Sequence, residues 1–411
     1  MSVVVPPPPP PSQVLAARPE LPGRRRGRRA SQVVLVLLGV VLLVLAALVL
    51  AAGIAASTGL VGLLIGLGLA LLPVVPLTRA FVWIDRFEPE PAPLLAFLFV
   101  WGAVVAALVA AVINSVSVAM LRAQAGEAAL ATTAVFVAPV VEEVAKGLGI
   151  LVVVIARRRE FDGVVDGIVC AGFVALGFAF TENILYFGRA FLEGETQLGV
   201  GGGIFAAGAT FVFRGVLSPF AHPLFTAMTG IGLGIAVYAP PLLRVLAPLG
   251  GLAGAIALHS WWNFTATQGL GNFVVSYLLF MLPLFGLAVA LVAWLRAREG
   301  QLIARRLPTY AASGWIPPYD VPMVSSLAGR RQARAWARSR LGELGERAMD
   351  DYQRAAAELA FLRDRAERLG PDRNFADRER GLLAALQASR AALSPALVGS
   401  PTTRFWNRLR T

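Results

Sequence analysis

Long apolar runs, parted by short polar breaks, dominate the pattern of this chain. A helix needs about 20 such residues to cross a ~30 Å hydrocarbon core. Eight runs reach that length: 31–53, 59–82, 92–115, 131–156, 164–188, 218–239, 245–265 and 273–296. The expected fold is all-α, a polytopic transmembrane helix bundle of about eight spans. The stretch 200–239 admits one span or two. Two would put the arginine-rich C-terminal tail outside; one, with 202–215 as a shorter helix at the outer surface, keeps it inside, and charge favours one. From residue 300 the pattern changes. Leu307–Pro318 reads as a linker, Ser326–Leu369 has helical composition, Gly370-Pro371 breaks it and Phe375–Leu393 resumes. The expected organisation is a disordered Pro/Arg-rich tail (1–30), a transmembrane domain (31–299) and a cytoplasmic helical tail (300–411).

Composition agrees with this class. Of 411 residues, 57% are hydrophobic, more than soluble domains carry. The net charge of +12 is mostly arginine in flanks and loops, which reads as topology signal and contact with an anionic bilayer, not nucleic-acid binding. Arginines ahead of the first span, and Arg157–Arg159 after the fourth, place the N- and C-termini in the cytoplasm of a multi-pass cell-membrane protein. The single cysteine, Cys170, excludes a disulfide framework and a Cys-based metal site.

Against this apolar background the polar residues stand out. Glu142, Glu143 and Lys146, the only lysine in the chain, sit near the middle of the 131–156 run. Each charge at such depth costs roughly 2.5–3.5 kcal/mol on insertion scales, so a functional site is the default reading. Lys146 shares a helix face with Glu142 at i,i+4, which leaves the second carboxylate for another task. Glu182-Asn183 lies in the fifth span. The two histidines of the chain, His222 and His259, are each followed at i+4 by a polar residue, Thr226 and Asn263. Glutamate and histidine without a nucleophile motif suit the activation of water. Two imidazoles and a carboxylate also suit Zn²⁺, although HExxH is absent. Asn183, Asn263 or a histidine would serve an oxyanion. Arg214, on the short helix, either pairs with a glutamate or lies at the interface.

EExxK at Glu142–Lys146, FxxxEN at Phe178–Asn183, HxxFT at His222–Thr226 and HxxxN at His259–Asn263 together resemble the PrsW-type intramembrane proteases, distant relatives of the CAAX prenyl endopeptidases. Asp85–Pro91 is similar to the loop that precedes the family's third span. The resemblance covers roughly residues 35–300. It implies an intramembrane endopeptidase acting on a membrane-anchored protein, an anti-sigma factor in the best-known family role. It also implies a catalytic or metal-binding set of Glu142, Glu143, Glu182, His222 and His259. A Zn²⁺ ion would fall to Glu143, Glu182, His222 and His259, since the family is called metalloprotease; the prenyl endopeptidases imply glutamate-activated water without zinc. Glu143 is the expected base and Glu142 the partner of Lys146, although the residues alone do not separate these neighbours. The rival classes are a proton-coupled transporter, marked by an internal repeat with broken helices, and a non-catalytic membrane scaffold. The oligomeric state is not legible.

Overall fold

A computed structural model of the chain describes residues 27–157 and 161–397. The expected Pro-rich tail up to residue 26 and the arginines at 158 and 159 lie outside the described residues. What is described is helical, with no strand among these residues. Residues up to 85 together with 90–292 form one compact unit; residues 86–89 together with those from 293 onward form another.

Six helices of the described chain are long and apolar enough to cross a membrane. The first, α1 (Gly27–Ile84), contains two expected spans, joined at Gly59. That residue has φ 70°, a left-handed conformation that glycine adopts without a Cβ penalty. α2 (Ala92–Ala125) follows. α3 (Ala138–Ala156), led in by a π-helical turn at Thr133–Val137, is the expected fourth span; it stands outside the six and holds Glu142, Glu143 and Lys146. α4 (Val164–Leu198) is the central post, with every residue from Val165 to Ala179 buried. α5 (Gly202–Phe211), a π-helical turn (Val212–Leu217) and α6 (Ala221–Ala236) come next, then α7 (Pro241–Thr267) and α8 (Leu270–Ala312). Counting α1 twice and adding α3 gives the eight expected spans.

Small residues let the other helices approach α4, as bundles in lipid require when apolar burial alone does not drive association. Gly62 and Gly66 of α1 face the backbone carbonyls of Gly188 and Ile184, where a Cβ would stand 2.9 and 2.3 Å from those oxygens. On the α2 side, Thr181 Oγ1 donates to the Ala103 carbonyl at 2.7 Å. The segment 202–236 is one passage, as expected, and residues 202–217 are its short helical first part, α5 and the π-helical turn. They run back along the second half of α4, from the Gly194–Gly202 contact to the Arg214–Glu182 pair. α6 continues along the first half, as far as Gly234 against Gly163. Residues 218–220 are a break between these halves, where Pro219 offers no N–H to extend the turn.

Asp85 closes α1. It is buried and accepts the Glu90 N–H at 2.5 Å, yet burial pushes its carboxyl up from 3.8 to about 8. An acid whose pKa is raised on folding stabilises the fold fully below its unfolded pKa and loses that contribution as pH rises through the folded one. Detergent-solubilised protein should therefore lose stability between pH 4 and pH 8, and Asp85→Asn should flatten that slope. An unchanged slope in the variant would remove Asp85 from the account.

In the second unit, helix runs to Ala312, so the expected linker begins only after that residue. α9 (Asp320–Ser325), α10 (Leu327–Leu369) and α11 (Phe375–Leu397) follow, with Gly370 as the break between the last two. Tyr310, Leu307, Met323, Tyr352 and Leu386 belong to its core. Arg330 is buried there and donates to the carbonyls of Val324 (2.8 Å), Phe87 (3.0 Å) and Arg86 (3.2 Å), with its guanidinium over the Phe87 ring. The 86–89 turn is thereby part of this unit. Arg330→Ala orphans three carbonyls, each worth about 1–3 kcal/mol when buried. Thermal denaturation should show a loss of about 3 kcal/mol or more; a variant as stable as wild type would refute this role.

Candidate active site

Glu142, Glu143 and Lys146 project from α3, Glu182 and Asn183 from α4, His222 from the first turn of α6, and His259 from α7. All but Glu182 are buried by relative exposure, and even the Glu182 side chain is only 19% exposed. Burial in a bundle core explains why all but one of the carboxylate oxygens that face this core are hydrogen-bonded, Glu142 Oε2 being the exception: an unpaired polar group in lipid is costly.

Glu143 is the most fully satisfied. Its Oε1 takes Lys146 Nζ at 2.8 Å and His259 Nδ1 at 3.0 Å, and its Oε2 takes the Thr226 hydroxyl at 2.8 Å. Lys146 therefore pairs first with Glu143, and lies 3.8 Å from Glu142 Oε2. This inverts the pairing expected from the sequence. Both spacings lie on one helix face, and Thr226 and His259, arriving from other helices, make Glu143 the anchor. Glu142 Oε1 has only Asn114 Nδ2 of α2, at 3.4 Å, and its Oε2 is buried without a hydrogen bond.

A second chain of contacts starts at Arg214, in the π-helical turn. Its Nη2 meets Glu182 Oε2 at 2.6 Å, its Nε donates to Asn183 Oδ1 at 2.8 Å, and its guanidinium lies 3.9 Å over the Tyr186 ring. Glu182 Oε2 also meets His222 Nε2 at 2.7 Å, and His222 Nδ1 meets Lys146 Nζ at 3.1 Å. The two chains join at Lys146. Carboxylates and ammonium fix the imidazole roles, because the first only accept and the second only donates. His222 gives its Nε2–H to Glu182 and receives Lys146 on Nδ1. His259 gives its Nδ1–H to Glu143, which turns the Nε2 lone pair towards Glu142 Oε2, 3.8 Å away. The histidine rings stand edge-on at 5.1 Å, and Phe225 stacks on His259.

Thus Glu142, Glu143, Lys146, Glu182, His222 and His259 share one cluster, with Asn183 tied in through Arg214. Asn263 does not join it: its Nδ2 donates to the Ala134 carbonyl at 2.8 Å, fastening α7 to the π-helical turn ahead of α3. The sequence reading missed Asn114 and Trp101. Asn114 was visible as an amide in the apolar third span; Trp101, whose Nε1 donates to the Ala145 carbonyl at 3.0 Å, gave no signal beyond an ordinary span tryptophan. A recess lined by Pro73, Asn183, Arg214, Pro219, His222 and Trp262 leads to the His222 side of the cluster.

The fold and site define a multi-pass helical membrane protein built around a buried carboxylate–histidine–lysine cluster. Residues 90–288 match the profile of the family described as PrsW family intramembrane metalloprotease, a range that holds every cluster residue. The chain is similar to the Protease PrsW of Clostridioides difficile (strain 630), 29% identical over 167 residues, which are 40% of this chain and 64% of that protein. It is likewise similar to the Protease PrsW of Geobacillus kaustophilus (strain HTA426), 29% identical over 176 residues, 43% of this chain and 68% of that one. The resemblance read from the four motifs is thereby shown, over somewhat less than two thirds of the first relative's length. No solved structure matches the chain.

The metal implied by that family description has a donor set here. Glu142, His222 and His259 each offer one ligand atom, and these lie within 4.8 Å of one another. Glu142 Oε2 has no hydrogen bond, and His259 Nε2 presents a lone pair. Three carboxylates against Lys146 and Arg214 leave a formal charge of −1 with neutral histidines, which favours one more cation. The residues fit a divalent ion, provided that His222 exchanges Lys146 or Glu182 for it.

Proposed function

We propose that this protein is an intramembrane peptidase that hydrolyses a membrane-anchored polypeptide. The observation that carries this reading is Glu142 Oε2, which has no hydrogen bond and faces the His259 lone pair inside a cluster that is otherwise hydrogen-bonded. A general base must have a free lone pair within reach of the proton it takes. Glu142 has one; Glu143 has spent both oxygens on three donors.

In this reading a water donates to Glu142 Oε2 and His259 Nε2. Its proton passes to Glu142 as its oxygen bonds to the scissile carbonyl carbon. The carbonyl π pair moves to oxygen, and the Lys146 ammonium offers that oxyanion a charged donor. When the tetrahedral centre collapses, the C–N bond breaks and Glu142 returns its proton to the leaving nitrogen. Glu143 holds His259 in the required tautomer, and Glu182, fixed by Arg214, holds His222. Glu142, His222 and His259 would hold a divalent ion such as Zn²⁺, which when bound supplies Lewis acidity towards water and carbonyl.

The substrate approaches through the recess at His222, and an anti-sigma factor is the first substrate to assay. Purified protein should cleave a membrane-anchored substrate in proteoliposomes, and Glu142→Gln should not. Cleavage that survives Glu142→Gln would end this assignment. The orientation follows from charge: both termini face the cytoplasm. Reporter fusions after Arg306 should read cytoplasmic and those near Glu195 external; an external signal at Arg306 would reverse the membrane sidedness of the site.

A further inference from the structure

The point between Glu142, His222 and His259 already has a cation beside it. Lys146 Nζ lies 3.1 Å from His222 Nδ1, 3.8 Å from Glu142 Oε2 and 2.8 Å from Glu143 Oε1. It is fully buried, with the Phe178 ring 4.0 Å below it. The same atoms that would ligate a metal are those that solvate this ammonium: His222 spends its Nδ1 lone pair on it, and Glu142 Oε2 is within ion-pair range. A divalent ion held by those same atoms would stand within ~4 Å of the ammonium, where like charges repel strongly, so the two compete for one place.

We propose that the Lys146 ammonium is the resident cation of the Glu142–His222–His259 triangle, and that a divalent ion enters only by displacing it. Lys146 thus sets the metal occupancy of the site. Its four-carbon stem on α3 allows the head to leave without moving the helix, whereas Glu143 and the Phe178 face recapture it when the ion departs. This inference rests on the site reading above but not on turnover.

The test measures metal binding to full-length protein in detergent, with Co²⁺ as a spectroscopic probe and Zn²⁺ by calorimetry. Wild type should bind weakly. Lys146→Met, of similar length and without charge, should bind at least about tenfold more tightly, a difference of about 1.4 kcal/mol. Lys146→Arg, which keeps the charge, should bind as weakly as wild type. Packing damage alone would affect both variants, so the contrast between them isolates the charge. Adding His259→Ala to Lys146→Met should abolish the tight binding, which assigns it to the triangle. Should Lys146→Met be unstable without metal, its thermal stability must rise with Co²⁺ while that of Lys146→Arg does not. Equal affinity of wild type and Lys146→Met, or no binding by either, overturns the proposal. A wild type that cleaves nothing but shows this binding pattern removes the peptidase reading and leaves the displacement intact.

Discussion

Glu142→Gln should abolish turnover in a protein that still folds, whereas Glu143→Gln should damage the fold first. The two residues are neighbours on α3, but their surroundings differ. Glu142 Oε2 has no hydrogen bond, and only Asn114, at 3.4 Å, reaches its other oxygen. Replacing it with the isosteric amide removes the proton acceptor and disturbs little else. Loss of a general base typically costs about 10²–10⁴ in kcat. Glu143 instead holds Lys146, His259 and Thr226, which come from three helices. Its amide replacement leaves the buried Lys146 with Glu142, at 3.8 Å, as its one remaining carboxylate, beside the neutral acceptor His222 Nδ1. Removing one member of a buried ion pair costs about 3–5 kcal/mol. The measurement is kcat on a membrane-anchored substrate beside thermal denaturation of each purified variant. A Glu143→Gln protein of wild-type stability and no activity, with Glu142→Gln still cleaving, would reverse the two roles.

The architecture was legible because hydropathy and length decide it: a run of some 20 apolar residues has few options but a spanning helix. The polar cluster was legible for the same reason, since Glu142, Glu143, Lys146, Glu182, His222 and His259 are expensive in lipid. The i+4 rule then succeeded once and failed once. Thr226, one turn after His222, does reach Glu143, whereas Asn263, one turn after His259, meets the Ala134 carbonyl. A shared helix face fixes direction but not height, and one turn is about 5.4 Å, enough to meet a different partner. Which glutamate Lys146 chooses was not legible either. Positions i−3 and i−4 are equivalent on an isolated helix, and the choice is made by groups 83 and 116 residues away. Pro219 marked a break in the sequence, but only the packing of 202–217 and 221–236 along one helix makes that break a site wall.

The Arg214–Glu182 pair gives the second large effect, and it separates stability from function. Arg214 sits in a π-helical turn, an arrangement found often at functional sites. Its side chain and that of Glu182 are each 19% exposed, and they meet at 2.6 Å. Arg214→Met should leave the Glu182 carboxylate facing an apolar thioether stem, with His222 as its remaining partner, at a cost of about 3–5 kcal/mol. The double variant Arg214→Met/Glu182→Met removes both charges and should recover most of that stability, because well-packed apolar residues replace buried ion pairs at little net cost. Activity should not return with it. Without Glu182, His222 Nε2 has no acceptor, so its ring is no longer held with Nδ1 towards Lys146. The double variant should therefore denature close to the wild-type temperature and cleave at the level of Glu142→Gln. Full activity in a stable double variant would show that His222 needs no orientation from Glu182. A double variant no more stable than Arg214→Met would show instead that Arg214 acts through Asn183 and the Tyr186 face, not through the carboxylate.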